Sequence, residues 1–312
     1  MKVLKKLDLS DRRNLAKTIS LVESEKNQDQ QEGDLLIQEL YDGLQQEIPQ
    51  NTIVIAITGT PGAGKSTFIN AFGTQLADQG FKVAVLAIDP SSSLSGGAIL
   101  GDKTRMTELA RHPNAFIRPT PSRVGSLGGL APATEDSLYI LKAAKFDYIF
   151  IETIGVGQNE WDVALLADRV IIMIPPMTGD ELQGIKKGNL EYIDYLVINK
   201  FDGASKDLAR ATADDYQSAF KSLGKKVFLT SAVEKTGFED ILKEIQRHSP
   251  PCQHSEQLLL RRLDSQLLKT LLSIPSIAEI FNQTNKLKAP TRIKVNFFIE
   301  QLKKLLTRQQ IL

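Results

Sequence analysis

The sequence has very little cysteine and no excess of charge of either sign. Cys252 is the only thiol among 312 residues, which excludes an internal disulfide and fits a reducing cytosol. The chain has 38 basic and 37 acidic residues. It therefore lacks the strong positive charge of a protein that binds nucleic acid or an anionic membrane. We therefore expect a cytoplasmic protein with neither kind of partner.

Long apolar runs and histidine are also scarce. The start of the chain, MKVLKKLDLSDRRN, lacks the apolar segment of a signal peptide, and Asp168 and Arg169 interrupt the run VALLADRVIIMI. Neither a signal peptide nor a membrane span is predicted. His248, Cys252 and His254 fall within seven residues. A thiol and two imidazoles without a fourth ligand make a poor closed metal site, so a polar loop is the favoured interpretation.

The chain does have enough apolar residues, 42% in all, to bury a substantial core. Two helices are predicted before the first strand. Ser10 is expected to cap the first, which carries Leu15, Ile19 and Val22 on one face, and LLIQELYDGL continues the helical period. These helices form a predicted N-terminal extension over residues 1–48.

From Thr52 onwards, short β-branched runs alternate with helical stretches. The runs are TIVIAIT, KVAVLAI, FDYIFI, RVIIMI, YLVINK and KVFLTS. Near-continuous apolar strands of this kind indicate an α/β fold with a mostly parallel, buried sheet and helices on both faces. We assign this domain to residues 49–248. The helical segments of residues 249–312 carry wide apolar stripes, which fit either packing onto the sheet or a dimerisation arm.

The stretch ITGTPGAGKSTFINAFG follows the first predicted strand and matches G-x-x-x-x-G-K-[ST]. In this P-loop motif bare backbone N–H groups and a helix N-terminus surround phosphates. Lys65 is expected to reach the outer phosphates as a catalytic residue, and Ser66 to hold Mg²⁺. The predicted nucleotide contacts here are Gly59, Pro61, Gly62, Ala63, Gly64, Lys65, Ser66 and Thr67.

Two later motifs point to guanine rather than adenine. Asn199, Lys200 and Asp202 belong to NKFD, and Ser231 and Ala232 belong to TSA after the next predicted strand. A carboxylate at Asp202 accepts from the ring N–H and the exocyclic amine of guanine, whereas adenine would leave it unpaired. A backbone N–H of TSA could donate to the guanine carbonyl. GTP or GDP is therefore the predicted ligand.

Carboxylates end two of the predicted strands, at Asp89 and Glu152. The carboxyl ends of parallel strands form the ligand crevice, so both are expected to face the phosphates as Mg²⁺ ligands or to position water. Asp89 could equally cap the turn DPSSS. The Gly155 N–H is predicted to contact a γ-phosphate, and Gln158 to orient a water.

Several longer segments resemble the MeaB/ArgK family of SIMIBI-class P-loop GTPases, which includes the methylmalonic aciduria type A protein. They are GTPGAGKST, DPSSSLSGGAILGDKTRM, NAFIRPTPSR, ETIGVGQNE, GDELQGIKKG and NKFDG. The resemblance implies a homodimeric GTPase that chaperones an adenosylcobalamin-dependent acyl-CoA mutase such as methylmalonyl-CoA mutase, protecting it and gating cofactor delivery. With a homodimer implied, we assign residues 249–312 to a C-terminal helical dimerisation arm.

Carried onto this sequence, the resemblance makes Asp89, Asp102 and Glu152 the Mg²⁺ and catalytic carboxylates. It places Lys186 and Lys187 in a segment that senses the partner, with Lys187 as a catalytic candidate. This chain departs from the family pattern in the loop SRVGSLGGLAPATEDS, which is one residue longer, and at Trp161. Both departures flank the switch region.

Three other functions compete with a mutase-associated switch. A metal-delivery GTPase would need clustered Cys or His ligands, a phosphotransferase would need an acceptor pocket, and a kinase-like ATPase of amino-acid transport conflicts with NKFD. Hydrolysis by the isolated protein is predicted to be slow, because no catalytic arginine is evident in the switch strand. Arg105, Arg118 and Arg123 remain candidates for that role.

Overall fold

The structure, a computed structural model, describes most of the chain in ten segments. They are residues 8–24, 26–44, 51–89, 106–121, 132–153, 161–176, 193–247, 271, 274–286 and 291–308. Two compact units divide the chain, Met1–Ser255 and Glu256–Leu312.

The first unit is built on a sheet of seven parallel strands in the order β3-β2-β4-β1-β5-β6-β7. The strands are β1 Ile53–Gly59, β2 Val83–Asp89, β3 Ala115–Pro121, β4 Tyr148–Glu152, β5 Arg169–Ile174, β6 Tyr195–Ile198 and β7 Lys226–Leu229. The α/β fold with a parallel sheet is therefore confirmed. Because all strands run the same way, the loops after β4, β1, β6 and β7 meet at one edge of the sheet.

Helices in the first unit surround this sheet. Those in the described residues are α1 Arg12–Glu23, α2 Asn27–Leu44, α3 Lys65–Asp78, α4 Thr107–Arg111, α5 Pro132–Ala143, α6 Trp161–Ala164, α7 Lys206–Ser222 and α8 Phe238–Arg247, with a 3₁₀ turn at Gly203–Ser205. On one face, the rings of Phe68, Phe72 and Phe238 pack with centroids 5.3–5.4 Å apart. The other face packs against α7 through Tyr216 and Phe220. Alternate β5 residues point to these two cores.

The sequence prediction missed one strand, β3. Its prolines, Pro119 and Pro121, lie in register with Ala87 and Asp89 of β2. A proline has no N–H to give to a ladder, so an apolar run with two prolines is a poor strand candidate in the middle of a sheet. At the edge of the sheet only one side of β3 is paired, and prolines are tolerated there.

The two predicted N-terminal helices are present, with a different cap. Asp11, rather than Ser10, caps α1, and its side chain accepts from the N–H groups of Arg13 and Asn14 at 3.0 and 2.9 Å. The helix packs on α2, α5 and β3. The Arg118 guanidinium on β3 donates to Glu23, with which it forms an ion pair, and to Ser20 Oγ at 2.9 Å.

A repeated hydrogen-bond pair closes the amino edge of the sheet. In each case an aspartate before a strand donates its N–H to the carbonyl of a residue on the neighbouring chain segment, and its carboxylate accepts the N–H of that same residue. The pairs are Asp147 with Lys82 (2.9 and 2.7 Å), Asp168 with Val54 (2.8 and 2.8 Å) and Asp194 with Val170 (2.9 and 2.7 Å). These aspartates fix the start of β4, β5 and β6 relative to their neighbours.

A charged cluster also lies at the amino edge, below β6 and β7. The Glu244 carboxylate of α8 pairs with Lys226 at 2.5 Å and with Arg247 at 2.9 Å. The hydrogen bond from Lys226 lowers the pKa of Glu244 below its ordinary value of 4.5, while burial opposes that shift. The Tyr195 hydroxyl donates to the Glu244 carbonyl at 3.2 Å.

The described residues of the second unit include two packed helices, α9 Pro275–Lys286 and α10 Thr291–Arg308. Phe281 and Phe298 stack edge to face with centroids 5.9 Å apart. Every described side chain of α10 is at least partly exposed, and Ile299 is 43% exposed. None of the helices in the described segments is long and apolar enough to cross a membrane.

Candidate nucleotide site

The glycine-rich loop lies between β1 and α3, as predicted, and three of its glycines have positive φ angles. They are 140° at Gly59, 80° at Gly62 and 85° at Gly64. A Cβ at Gly59 would lie 1.9 Å from the carbonyl oxygen of Met173, and one at Gly64 would lie 2.6 Å from Nδ2 of Asn199. Both positions therefore require glycine on steric grounds as well as for their backbone conformation.

Lys65 begins α3, and its side chain returns over the loop. Its residue exposure is only 7%, and its ammonium donates to the carbonyls of Gly59 at 2.7 Å and Thr60 at 3.3 Å. The Thr60 carbonyl also accepts from the N–H of Ala63 at 3.2 Å. The loop thus joins a buried positive charge to the N-terminus of a 14-residue helix, an arrangement suited to phosphate.

The structure brings together two of the predicted metal ligands. Ser66 Oγ in the first turn of α3 donates to Glu152 Oε1 at the end of β4, across 2.5 Å. Glu152 is buried and lies in register with Ile57 of β1 and Ala87 of β2. A hydroxyl beside a carboxylate is an oxygen-only donor set, which fits a hard cation such as Mg²⁺. Asp89 ends β2 as predicted, but its side chain is outside the described residues.

Asn199 connects the phosphate loop to the TSA motif. Its amide nitrogen donates to the Ala63 carbonyl at 3.0 Å, and its amide oxygen accepts from the Ala232 N–H at 3.2 Å and from Thr230 Oγ1 at 3.3 Å. The side chain is almost fully buried. Sequence reasoning assigned Asn199 and Ala232 to nucleotide contacts, and the structure gives each a contact with the other.

Asp202 and Ser231, two of the predicted base contacts, also meet. The Ser231 hydroxyl donates to Asp202 Oδ2 and accepts the N–H of Glu234 at 2.9 Å. The Phe201 N–H donates to the Thr230 carbonyl at 2.9 Å, which ties the two motifs together. Lys200 is exposed and has a φ of 64°. One carboxylate oxygen of Asp202 is thus fixed by a buried serine.

Sequence reasoning missed the roles of Thr230 and Glu234. Both act through groups that carry little sequence signal, a threonine hydroxyl and a backbone N–H. The candidate arginine Arg118 is engaged with Glu23 of α1. His112 pairs with Asp78 at 3.4 Å. In the segments that the structure covers, no three His, Cys, Asp or Glu side chains group as metal ligands.

Several predicted residues lie outside the described residues. They are Asp102, Arg105, Arg123, Gly155, Gln158, Lys186, Lys187, His248, Cys252, His254, and the side chain of Trp161. Their assigned roles stay predictions.

A parallel sheet with this loop at the carboxyl end of β1 defines a P-loop NTPase. The chain belongs to the family described as methylmalonyl Co-A mutase-associated GTPase MeaB, which matches residues 15–279. The predicted resemblance is therefore confirmed, and the protein is a GTPase.

Two curated relatives and one solved structure are similar to this chain. GTPase ArgK of Escherichia coli is 43% identical over 245 residues, covering 76% of this chain and 72% of that protein. The mitochondrial methylmalonic aciduria type A homolog of Mus musculus is 44% identical over 217 residues, covering 68% of this chain and 52% of the mouse protein. The crystal structure of an LAO/AO transport system kinase has a TM-score of 0.71 at 30% identity and covers 96% of each chain.

Proposed function

We propose that this GTPase is a chaperone of an adenosylcobalamin-dependent acyl-CoA mutase such as methylmalonyl-CoA mutase. It would gate cofactor loading and protect the mutase according to its nucleotide state. The observation that carries the proposal is family membership across residues 15–279, because the family is described as mutase-associated. The mouse relative, named for methylmalonic aciduria, supports the same assignment.

The phosphates of GTP would be held by the loop between β1 and α3. Partial positive charges come from the backbone N–H groups around Gly62 and Gly64 and from the N-terminus of α3. Lys65 adds a full positive charge. The ammonium of Lys65 lies 2.7 Å from the Gly59 carbonyl oxygen, so a contact within the loop itself fixes its position. That preorganisation favours the charge that develops during phosphoryl transfer.

Magnesium would be held by Ser66 and Glu152, with Asp89 and Asp102 as further candidates. A bound Mg²⁺ neutralises charge on the phosphate oxygens. Ser66 and Glu152 belong to different elements, α3 and β4, and their 2.5 Å contact keeps both oxygens at the start of the phosphate-binding helix. This arrangement supports a catalytic or metal-binding role for Glu152.

Guanine would be read by Asp202, with Asn199, Lys200, Ser231 and Ala232 forming the surrounding loops. The hydrogen bond from Ser231 fixes the carboxylate in place. A fixed carboxylate disfavours ATP, because adenine would leave it without a hydrogen-bond donor. The kinase name of the solved relative raises the alternative of an ATPase of amino-acid transport. Comparing GTP and ATP affinities separates these, since equal affinity would favour the alternative.

A homodimer through the C-terminal helices is part of the proposal. Only one apolar side chain of α9, Ile277, is nearly fully buried among the described residues of this hairpin. Apolar α10 residues such as Phe297, Leu302 and Leu305 are only partly buried, which leaves apolar surface for a second copy. Light scattering should give twice the chain mass, and Ile299→Glu should shift the mass toward one chain.

The decisive experiment uses purified methylmalonyl-CoA mutase holoenzyme and the full-length GTPase. We expect complex formation that differs between GTP-loaded and GDP-loaded protein, faster GTP hydrolysis in the complex, and slower inactivation of the mutase. Lys65→Ala, which removes the phosphate-binding charge, should abolish the nucleotide dependence. No complex in either nucleotide state, and no change in mutase lifetime, would contradict the chaperone assignment while leaving the GTPase assignment intact.

A further inference from the structure

A short turn after β7 is held by ion pairs on two sides. The turn, residues 231–236, closes with reciprocal backbone hydrogen bonds between Ser231 and Thr236 at 3.2 and 3.1 Å. Within it, Glu234 pairs with Lys206 of α7 at 3.4 Å, and Lys235 pairs with Glu108 of α4 at 3.0 Å. We refer to residues 231–236 as the base-side turn.

Inside the base-side turn, a chain of hydrogen bonds leads to the base-reading carboxylate. The Glu234 N–H donates to Ser231 Oγ at 2.9 Å, and that hydroxyl donates to Asp202. Because a hydroxyl has one proton, the bond that Ser231 accepts from Glu234 leaves its proton for Asp202. A displacement of the backbone at Glu234 would therefore alter the orientation of the Asp202 carboxylate.

The other partner of the turn, α4, is fixed against the phosphate-binding helix. The Leu109 N–H donates to Asn70 Oδ1 of α3 at 3.1 Å, and Leu109 is fully buried. A Cβ at Gly73 of α3 would lie 2.7 Å from the Leu109 side chain, so α4 packs directly on the helix backbone. Glu108 thus extends from a firmly seated helix to Lys235 of the base-side turn.

We propose that Glu108 is a positioning residue for guanine recognition. Through its ion pair with Lys235 it holds the base-side turn so that Ser231 directs Asp202 toward the base. The proposal rests on the guanine recognition by Asp202 proposed above. It also connects the two ends of the nucleotide site, since α4 contacts the helix that begins at Lys65.

The test compares GDP with IDP, whose hypoxanthine base lacks the exocyclic amine of guanine. If the Asp202 carboxylate is turned away from the base, two hydrogen bonds to guanine are weakened but only one to hypoxanthine. The affinity for GDP should therefore fall more than the affinity for IDP. At low salt, Glu108→Lys should weaken GDP binding by about two- to five-fold, the range of an exposed ion pair, and IDP binding by less. The charge-swapped pair Glu108→Lys with Lys235→Glu should restore GDP affinity, and high salt should remove the difference.

Three controls make the result interpretable. Lys243→Glu breaks a similarly exposed pair with Asp240 on α8 at 3.7 Å and should leave GDP and IDP affinities unchanged. In an Asp202→Ala background, Glu108→Lys should have no further effect on the GDP to IDP ratio. If Glu108→Lys lowers the thermal unfolding midpoint, Glu108→Gln, which removes charge without reversing it, should still lower GDP affinity more than IDP affinity.

Equal losses for GDP and IDP, or a charge-swapped protein that does not recover, would overturn the positioning role of Glu108. A different outcome would overturn its premise. If Asp202→Ala itself leaves the preference for GDP over IDP unchanged, guanine recognition does not depend on Asp202, and the failure lies in that earlier assignment.

Discussion

Ser66 Oγ and Glu152 Oε1 lie 2.5 Å apart, although 86 residues separate them along the chain. The contact joins the first turn of α3 to the last residue of β4. If both oxygens bind Mg²⁺, Ser66→Ala should raise the Mg²⁺ concentration needed for half-maximal GTP hydrolysis by about ten-fold or more. Ser66→Thr, which keeps the hydroxyl that the motif allows, should stay near the unmodified value. An unchanged Mg²⁺ dependence in Ser66→Ala would place the metal on other ligands.

Replacing Asp202 with asparagine should change the base that the protein prefers. The amide donates where the carboxylate accepted, so Asp202→Asn should bind GTP about 10- to 100-fold more weakly, the range of a hydrogen bond to a charged group, and should favour XTP. Ser231→Ala, which removes the hydroxyl that fixes the carboxylate, should weaken GTP binding less. Competition binding with GTP, XTP and ATP measures both effects. Equal GTP and ATP affinities in the unmodified protein would refute guanine specificity.

Loss of the Asn199 side chain should affect both the phosphate-binding loop and the loop that contains the TSA motif. Asn199→Ala removes three buried hydrogen bonds, and buried groups left without partners cost about 1–3 kcal/mol each. We expect a lower unfolding midpoint and weaker binding of GDP and GTP alike. Asn199→Asp, which places a buried carboxylate oxygen against the Ala63 carbonyl, should not recover the midpoint. A midpoint equal to that of the unmodified protein would show that the bridge is dispensable.

Glu244 should contribute acid-sensitive stability. Lys226 lowers its pKa in the folded state below 4.5, so the charged pair stabilises the fold above the pH at which an unfolded glutamate titrates. That contribution is lost as the pH falls through the lower, folded pKa. The urea midpoints of the unmodified protein and Glu244→Gln should therefore differ most at neutral pH and converge in acid. A parallel offset at every pH would instead assign the effect to packing.

The sequence predicts the parts of the fold and site that depend on local pattern. The loop containing Lys65, six of the strands and the position of NKFD and TSA after two successive strands follow from spacing, β-branched runs and the parallel connectivity that these imply. The strand β3 does not, because Pro119 and Pro121 count against a strand until its edge position is known.

Other features depend on contacts between distant segments. The bond from Asn199 to Ala63 spans 136 residues, and the one from Lys235 to Glu108 spans 127. Their donors and acceptors occur in many surface loops, and only the folded sheet brings them together. A smaller error concerns the cap of α1, for which the sequence predicts Ser10 and the structure has Asp11. Either side chain can accept the N–H groups of a first turn, so the sequence does not decide between them.

The aspartates at the amino edge of the sheet also bear on the order in which the chain assembles. Asp147, Asp168 and Asp194 each bond to a residue that precedes them in the sequence. A ribosome synthesises the N-terminal part of a domain first, so when each aspartate emerges, its partner segment has already been made. The aspartate before each of these strands can therefore bond to a segment that has already been synthesised. The position of the strand is then set without residues that are still to be translated.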